Sequence, residues 1–289
     1  MPDLLSGAWD VHVHAAPSLF PRRHDAQQLT AEAQAAGYEG LVWKSHHGST
    51  VEAAAVLDAA TPGLTIRGGL TLNRFVGGLN PSAVDAAVAL GAAVVWLPTI
   101  DAVHHGRALG TPGGFSFQKD GLKRPPPDGF TLTDDTGGLR REVHAILEVL
   151  AGTQTVLATG HASPQEIVTL KQAIDERGGD VKLLINHALF HAPKLDIATL
   201  KTLVGDRVWV ELCELSTRPP ASAATFADVA AAIRAVPDAR WILATDAGQQ
   251  GGPSSPEALE RFALGLVQEG ISEADVRRYV TSHPRELLG

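Results

Sequence analysis

The sequence alternates, almost from end to end, between short apolar runs and longer Ala-rich amphipathic stretches. Short apolar runs are typical of buried strands, and the stretches between them have the period of helices. Strands that alternate with helices form a parallel sheet, because each parallel connection needs a crossover. The predicted strands are Trp9–His14, Gly40–Lys44, Leu64–Leu72, Ala93–Pro98, Thr155–Thr159, Val181–Asn186, Val208–Leu212 and Trp241–Thr245.

Helix start and stop signals lie between these strands. Ser163 precedes Pro164 and is followed three residues later by Glu166, which predicts a capping box. Eight β-then-α units in about 250 residues is the size of a (β/α)₈ TIM barrel. An open doubly wound sheet is the alternative, but no Gly-x-Gly-x-x-Gly follows the first strand. We therefore predict an α/β fold, a single (β/α)₈ barrel domain over residues 1–289.

One connection interrupts this alternation, from Thr99 to about Gly138. It contains Gly113-Gly114, Phe115, Phe117 and Pro125–Pro127 without a sustained period. Loops of this length in compact domains are usually functional, and this one follows the fourth strand on the face where barrel enzymes have their active sites. Residues 99–138 are predicted to form a lid over the site. The alternative is an exposed insertion or an oligomer contact.

The charge balance limits the partners of the chain. It has 24 Lys+Arg against 32 Asp+Glu and a net charge of -8, which argues against binding to nucleic acid or an anionic membrane. No apolar run is long enough for a spanning helix. Cys213 is the single cysteine and Met1–Gly7 lacks a secretory pattern, so a cytoplasmic protein is predicted. The Ala-rich outer helices permit a homo-oligomer without requiring one.

Histidines lie at the ends of several predicted strands, among 12 in the chain. His12 and His14 end the first strand on one face, since strand side chains alternate. His161 follows the fifth strand, His187 the sixth, and Asp246 ends the eighth. The carboxyl ends of barrel strands converge on one mouth. Imidazole and carboxylate ligands favour a divalent transition metal, zinc first and manganese as the alternative.

This order of residues resembles the metal-ligand order of the amidohydrolase superfamily, a group of metal-dependent TIM-barrel hydrolases. The resemblance implies that His12, His14 and Asp246 hold one metal ion, and that His161 and His187 hold a second or position the substrate. It thus implies one or two ions for each chain. Four further segments resemble an amidohydrolase-like subgroup of unknown function: Asp10–Pro17, Lys44–His46, Trp96–Thr99 and Ser282–Gly289.

The sequence departs from this pattern on the fourth strand. The binuclear members have a bridging carboxylated lysine or glutamate there, and Ala93–Pro98 supplies neither. Lys44, at the end of the second strand, is the nearest replacement: as a carboxylated metal bridge, a cation that holds substrate, or a structural ion pair. His46 shares the strand parity of Lys44 and is predicted to face the cavity as ligand or proton donor. Glu211 and Glu214, near the end of the seventh strand, could replace or assist a ligand or form ion pairs.

The resemblance implies hydrolysis by a metal-activated water on an amide, lactam, ester or lactone bond of a small molecule. Asp246 would take the proton of that water, and Asp246 and His46 are the candidate catalytic residues. Loop positions give the candidate substrate-binding residues Arg22, Asn73 and His104.

Two other functions compete with this prediction. A phosphoesterase of the polymerase-and-histidinol-phosphatase type also begins with His-x-His, but its later Asp-x-His pattern is missing at Asp246–Gly248. A metal-binding barrel without catalysis is the third hypothesis, and it predicts bound metal without turnover.

Overall fold

The computed structural model describes residues 4–116, 122 and 128–289. Eight parallel strands form one sheet in chain order, each paired with the next. Between the ends of the last and first strands, the Asp246 N–H donates to the His12 carbonyl at 2.8 Å and the His14 N–H donates to the Ala247 carbonyl at 2.8 Å. The predicted (β/α)₈ barrel is confirmed. The strands are β1 (Trp9–Val13), β2 (Gly40–Trp43), β3 (Thr65–Thr71), β4 (Val94–Trp96), β5 (Val156–Ala158), β6 (Leu183–Ile185), β7 (Val208–Cys213) and β8 (Arg240–Ala244).

Helices occupy the connections and begin where the sequence signals predict. The Ser163 hydroxyl accepts from the Glu166 N–H, and the Glu166 side chain accepts from the Ser163 N–H, which completes the predicted capping box. None of the helices in the described ranges has the length and apolarity needed to cross a bilayer. The helices are α1 (Ala26–Ala35), α2 (Val51–Ala60), α3 (Pro81–Ala89), α4 (Val103–Leu109), α5 (Arg141–Leu150), α6 (Pro164–Glu176), α7 (Ile197–Leu203), α8 (Phe226–Ala235), α9 (Ser255–Gln268), α10 (Glu273–Val280) and α11 (Ser282–Leu288), with 3₁₀ turns at Arg74–Val76 and Glu214–Thr217.

Apolar side chains form two layers. The inner layer fills the barrel and includes Trp96 and Trp209, while the outer layer between strands and helices includes Trp43 and Trp241. Gly69 on β3 makes room for Trp96, because a Cβ at this position would lie 2.5 Å from the indole ring. The barrel interior is therefore a packed core, and the open space that serves a site lies at the carboxyl ends of the strands.

A bulge in β1 sets the direction of the side chains that leave it. The pairing with β2 runs Asp10 to Leu41 and then Val13 to Trp43, so one extra residue lies on the β1 side. Val11 packs in the inner layer but Val13 packs in the outer one. Bulges of this kind are common beside active sites, where they redirect a side chain. Here the bulge leaves Val13 pointing outwards, between two histidines.

The segment after β4 is more regular than the sequence predicts. Residues Val103–Leu109 form α4, so the prediction of an irregular stretch is wrong there. Phe115 lies at the barrel mouth, among the residues that line its cavity. The predicted lid residues Phe117 and Pro125–Pro127 lie outside the described residues. The lid function of residues 99–138 stays a prediction.

Candidate metal centre

His12 and His14 leave the end of β1 with both rings buried in the barrel mouth. Nδ1 of His12 lies 3.1 Å from Oε2 of Glu211, and Nδ1 of His14 lies 2.9 Å from the carbonyl oxygen of Lys44. A carboxylate and a carbonyl only accept hydrogen bonds, so each Nδ1 carries the proton. Each ring therefore keeps the lone pair on Nε2 for the cavity. Metal-ligating histidines typically have such an acceptor on the other ring nitrogen.

Asp246 follows β8 and completes this group. Its Oδ1 lies 3.0 Å from Nε2 of His14 and 3.4 Å from Nε2 of His12. Its φ of +52° is in the left-handed region, which costs on the order of 1 kcal/mol or more for a non-glycine residue and is typical of functional sites. One ligand atom from each of the three residues lies within 4.8 Å of the others. This spacing suits the coordination of one ion.

Electrostatics put Asp246, His14 and His187 in the protonation states that bind metal. Burial disfavours the Asp246 carboxylate, but the field of His12 and the contact with His14 outweigh it and hold the pKa of Asp246 well below its usual range. Burial lowers the pKa of His14 to about 3 and that of His187 to about 4. At pH 7 His14 and His187 are therefore neutral imidazoles and Asp246 is an ionised carboxylate.

A second group, formed by His12, Glu211 and Cys213, also lies within coordination distance. One oxygen of its carboxylate is already occupied, because Oε2 of Glu211 accepts from the Asn186 amide at 3.0 Å and from the His187 N–H at 2.9 Å as well as from His12. Burial raises the pKa of the Cys213 thiol well above its ordinary value, and a protonated thiol is a poor ligand. The group of His12, His14 and Asp246 is the better metal site.

His187 gives an independent indication that a ligand belongs in this mouth. Its ring is buried, yet neither ring nitrogen has a hydrogen-bond partner, and its φ is +25°. Its ring centroid lies 5.8 Å from that of His12 and 4.9 Å from that of His161. A buried polar group without a partner costs about 1–3 kcal/mol. The donor set of the mouth therefore fits a divalent metal ion.

Lys44 projects into the same mouth from the end of β2. Its Nζ lies 3.0 Å from Nε2 of His12 and 5.3 Å from the centroid of the Trp96 ring. Burial lowers the pKa of this ammonium group. The carboxylates of Asp246 and Glu211 act on this ammonium group and oppose the effect of burial, so a structural ion pair stays a prediction beside the two functional roles. The position next to a candidate ligand is compatible with both functional roles.

His46 lies in the cavity, as its strand parity predicts, with its ring centroid 4.8 Å from that of His14. Its Nδ1 is 3.0 Å from the Thr99 hydroxyl, which can donate or accept. Asn73, by contrast, is fully buried and uses its whole amide within the protein. It donates to the His46 carbonyl and the Thr99 hydroxyl and accepts from the N–H of Thr99 and Asp101. The Asn73 side chain therefore fixes the loops around His46, and the structure does not bring it to the cavity as a free substrate-binding group.

The structure does not bring His104 to the cavity, and the side chain that reaches His161 is that of its neighbour His105. Nδ1 of His105 lies 2.7 Å from Nδ1 of His161, and its ring is buried against Phe115 at a centroid distance of 5.0 Å. Consecutive residues of a helix point about 100° apart, so only one of the two can face His161. His104 is half-buried and does not line the cavity.

Arg22 lies where the sequence predicts, on the rim of the cavity. Its Nε donates to the Ser18 hydroxyl at 3.3 Å, but its Nη2 is buried without a hydrogen-bond partner. Another part of the cavity lining is apolar, since Phe190 and Leu215 form a small cluster against which Phe115 packs. The remaining free space admits little more than a water molecule. The mouth therefore combines a free guanidinium edge with an apolar surface.

Sequence reasoning did not commit to two residues that the structure brings to the site. Glu211 on β7 accepts a hydrogen bond from His12. It has the same strand parity as Trp209 and Cys213, which both face the barrel interior, so its inward position can be read from the sequence. His105 had no comparable signal, because α4 lies in a segment without a clear period. Glu214, the other acidic candidate, binds Arg218 and Arg261 and has a structural role.

Comparison with known proteins gives a family and a fold. A model of a family of unknown function, DUF6282, matches residues 7–211, most of the chain. No curated protein matches the sequence.

Solved structures match nearly the whole chain. An amidohydrolase from Pseudomonas aeruginosa is 13% identical, with a TM-score of 0.57 over 99% of this chain and 97% of that one. A mutant organophosphorus hydrolase from Deinococcus radiodurans is 13% identical, with a TM-score of 0.57 over 99% and 94%. An inactive dihydroorotase-like domain from Chaetomium thermophilum is 15% identical, with a TM-score of 0.59 over 98% and 79%. The resemblance to amidohydrolases is confirmed as a likeness of fold.

Proposed function

The chain belongs to DUF6282, a family of unknown function, and we propose that it is a metal-dependent hydrolase of small molecules. One observation carries this proposal: Nε2 of His12, Nε2 of His14 and Oδ1 of Asp246 converge at the barrel mouth, on a ring of strand ends where barrel enzymes have their active sites. The fold of the amidohydrolases supports it. The unpartnered nitrogens of His187 support it further.

The proposed chemistry divides between the ion and the chain. A divalent ion, zinc first, supplies a Lewis acid and an acidified water at neutral pH. Asp246 has one oxygen directed at the two histidines, and its second oxygen accepts the proton of the attacking water and returns it to the leaving group. His161 and His187 extend the donor set for a second ion or for the substrate. His46, beside His14, is proposed as a further ligand or, in place of Asp246, as the group that gives the proton to the leaving group.

The substrate proposed is a small molecule with an amide, lactam, ester or lactone bond. Arg22 favours a substrate that has an anionic group. Its buried Nη2 has no hydrogen-bond partner, and arginine binds carboxylates in a bidentate manner. Lys44 has two proposed roles, as a carboxylated bridge between ions or as a cation that holds the substrate. Its position 3.0 Å from His12 supports either role.

Metal analysis together with turnover tests this function. Protein purified without added metal is expected to contain one or two equivalents of divalent ion, and to lose ester and lactone hydrolysis on treatment with a chelator. Asp246→Asn should fold normally and lose metal and activity by about 100-fold or more, because it removes a ligand and the proton acceptor. Asp238→Asn, on the exposed surface, is the matched control.

Two outcomes would overturn the proposal. Protein without metal that gains no activity from zinc or manganese would exclude a metal-dependent hydrolase. Metal-loaded protein that turns over none of a broad panel of amides, esters, lactams and lactones would favour a binding barrel without catalysis.

A further inference from the structure

The buried pair of His105 and His161 joins the segment after β4 to the metal-site histidines. The two Nδ1 atoms lie 2.7 Å apart. The ring planes differ by 18° and the ring centroids are 4.8 Å apart. Because the nitrogens are so much closer than the centroids, the rings meet edge to edge. This is the geometry of a hydrogen bond between two imidazoles, in which one nitrogen donates and the other accepts.

The direction of this bond follows from the other end of His105. Its Nε2 lies 2.7 Å from the carbonyl oxygen of Gly114, and a carbonyl only accepts, so Nε2 carries a proton. In a neutral imidazole one nitrogen is the donor and the other is the acceptor. Nδ1 of His105 is therefore the acceptor, and Nδ1 of His161 is the donor. The proton of His161 is thus on Nδ1, and its Nε2 has the lone pair.

We propose that His105 is a positioning residue, which fixes the tautomer of His161 so that the Nε2 lone pair of His161 is available to the cavity. His161 lines that cavity. The same state is imposed on His12 by the Glu211 carboxylate and on His14 by the Lys44 carbonyl. Three histidines from two strands thus have an acceptor at Nδ1 and the lone pair on Nε2, and that of His12 also faces Nζ of Lys44 at 3.0 Å. The use of the His161 lone pair as a metal ligand rests on the proposed function, whereas the tautomer does not.

The chain of hydrogen bonds has a structural consequence for the segment after β4. It runs from the Gly114 carbonyl through His105 to His161, and Phe115, next to Gly114, packs on both rings at centroid distances of 5.0 and 6.2 Å. A change in the conformation of residues 114–115 would remove the acceptor that orients His105. The orientation of His161 therefore depends on the local conformation of this segment.

The tautomer is measured directly on metal-free protein with ¹⁵N-labelled histidine, by two-bond ¹H–¹⁵N correlation at pH 7. We expect His161 to show a protonated Nδ1. In His105→Phe, which keeps an aromatic ring without nitrogens, the acceptor is lost and the signal of His161 should change to the other tautomer or to a mixture. His105→Asn offers an acceptor near the position of Nδ1 and should restore the original signal. His104→Phe, one residue away, is the matched control and should leave it unchanged.

Zinc affinity is the second readout, measured by competition with a chromophoric chelator. Loss of an outer-shell partner typically weakens metal binding about 10–100-fold, so His105→Phe is expected to lose this much while His105→Asn and His104→Phe stay within about threefold of the wild type. A protonated Nε2 on His161 in the wild-type protein would overturn the proposal. An unchanged His161 signal in folded His105→Phe would also overturn it, whereas equal zinc affinity in folded His105→Phe and His104→Phe would contradict the use of the His161 lone pair as a metal ligand. If no variant binds zinc, the proposed function fails, and the tautomer of His161 in the wild-type protein alone decides the positioning role of His105. If His105→Phe does not fold, the signals of His161 in the wild type and in His105→Asn decide it.

Discussion

Glu211 is a buried carboxylate whose removal should reveal how the donor set is held. Its Oε2 accepts from Nδ1 of His12 at 3.1 Å, from the Asn186 amide at 3.0 Å and from the His187 N–H at 2.9 Å. Burial opposes its ionisation, but the field of His12 and these hydrogen bonds outweigh burial and lower the pKa of Glu211 from 4.5 to about 2. Glu211→Gln keeps the shape of the side chain and removes its charge.

The lowered pKa of Glu211 gives the expected magnitude. A tenfold change in an acid dissociation constant between the unfolded and folded states corresponds to about 1.4 kcal/mol, so a pKa lowered from 4.5 to about 2 corresponds to about 3 kcal/mol of unfolding free energy. A folded-state pKa below the unfolded value stabilises the protein above pH 4.5, and this stabilisation is lost as the pH falls towards 2. Glu211→Gln should therefore reduce the unfolding free energy by about 3 kcal/mol at pH 7. The difference from wild type should shrink by about 1.4 kcal/mol per pH unit below 4.5.

Urea unfolding of the metal-free proteins at pH 7 and at pH 3.5 measures both values. The use of metal-free protein separates the stability of the fold from ligand binding. A difference below about 1 kcal/mol at pH 7, or a difference that is equal at the two pH values, would refute this reasoning. Asp238→Asn, which removes the charge of an exposed carboxylate, is the control and should change the unfolding free energy by less than about 0.5 kcal/mol.

Three further changes have distinct expected outcomes. Lys44→Ala should reduce activity at least about tenfold, and rescue by short carboxylic acids would identify the bridging role, whereas full activity would exclude both proposed roles of Lys44. Asn73→Ala should lower the unfolding free energy by about 2–4 kcal/mol in urea titrations, because it leaves the His46 carbonyl and the N–H groups of Thr99 and Asp101 unpaired; a change below about 1 kcal/mol would contradict the positioning role. Arg22→Met should raise KM for anionic substrates about tenfold or more with little effect on neutral esters, and equal effects on both would exclude an anion-binding role.

The fold and the candidate ligands were predictable because they depend on short-range patterns. Alternating apolar runs predict the eight strands, and parallel strands bring their carboxyl ends to one mouth. The candidate ligands can therefore be predicted from their positions at or after the ends of strands, without knowledge of the distances between them: His12, His14, His161, His187 and Asp246. The parity argument also placed Lys44 and His46 in the cavity, because both follow the regular β2 strand.

The remaining features depend on contacts that sequence spacing does not determine. His104 and His105 are adjacent, and the choice between them is set by the phase of α4 against β5. Asn73 has the same residue type and loop position as many substrate-binding residues, but Thr99 and Asp101 occupy its amide. The hydrogen bond from His12 to Glu211 joins residues that are 199 positions apart in the chain. Sequence spacing alone therefore does not identify Glu211 as the partner of His12.

Anomalous diffraction from zinc-loaded crystals tests the central claim most directly. We expect an anomalous peak that is coordinated by Nε2 of His12, Nε2 of His14 and an oxygen of Asp246, at about 2.0–2.2 Å from each ligand atom. A peak on the other side of His12, between Glu211 and Cys213, would contradict this assignment of the metal centre. The absence of any peak at the barrel mouth in zinc-loaded protein would contradict the proposal of a metal-dependent enzyme itself.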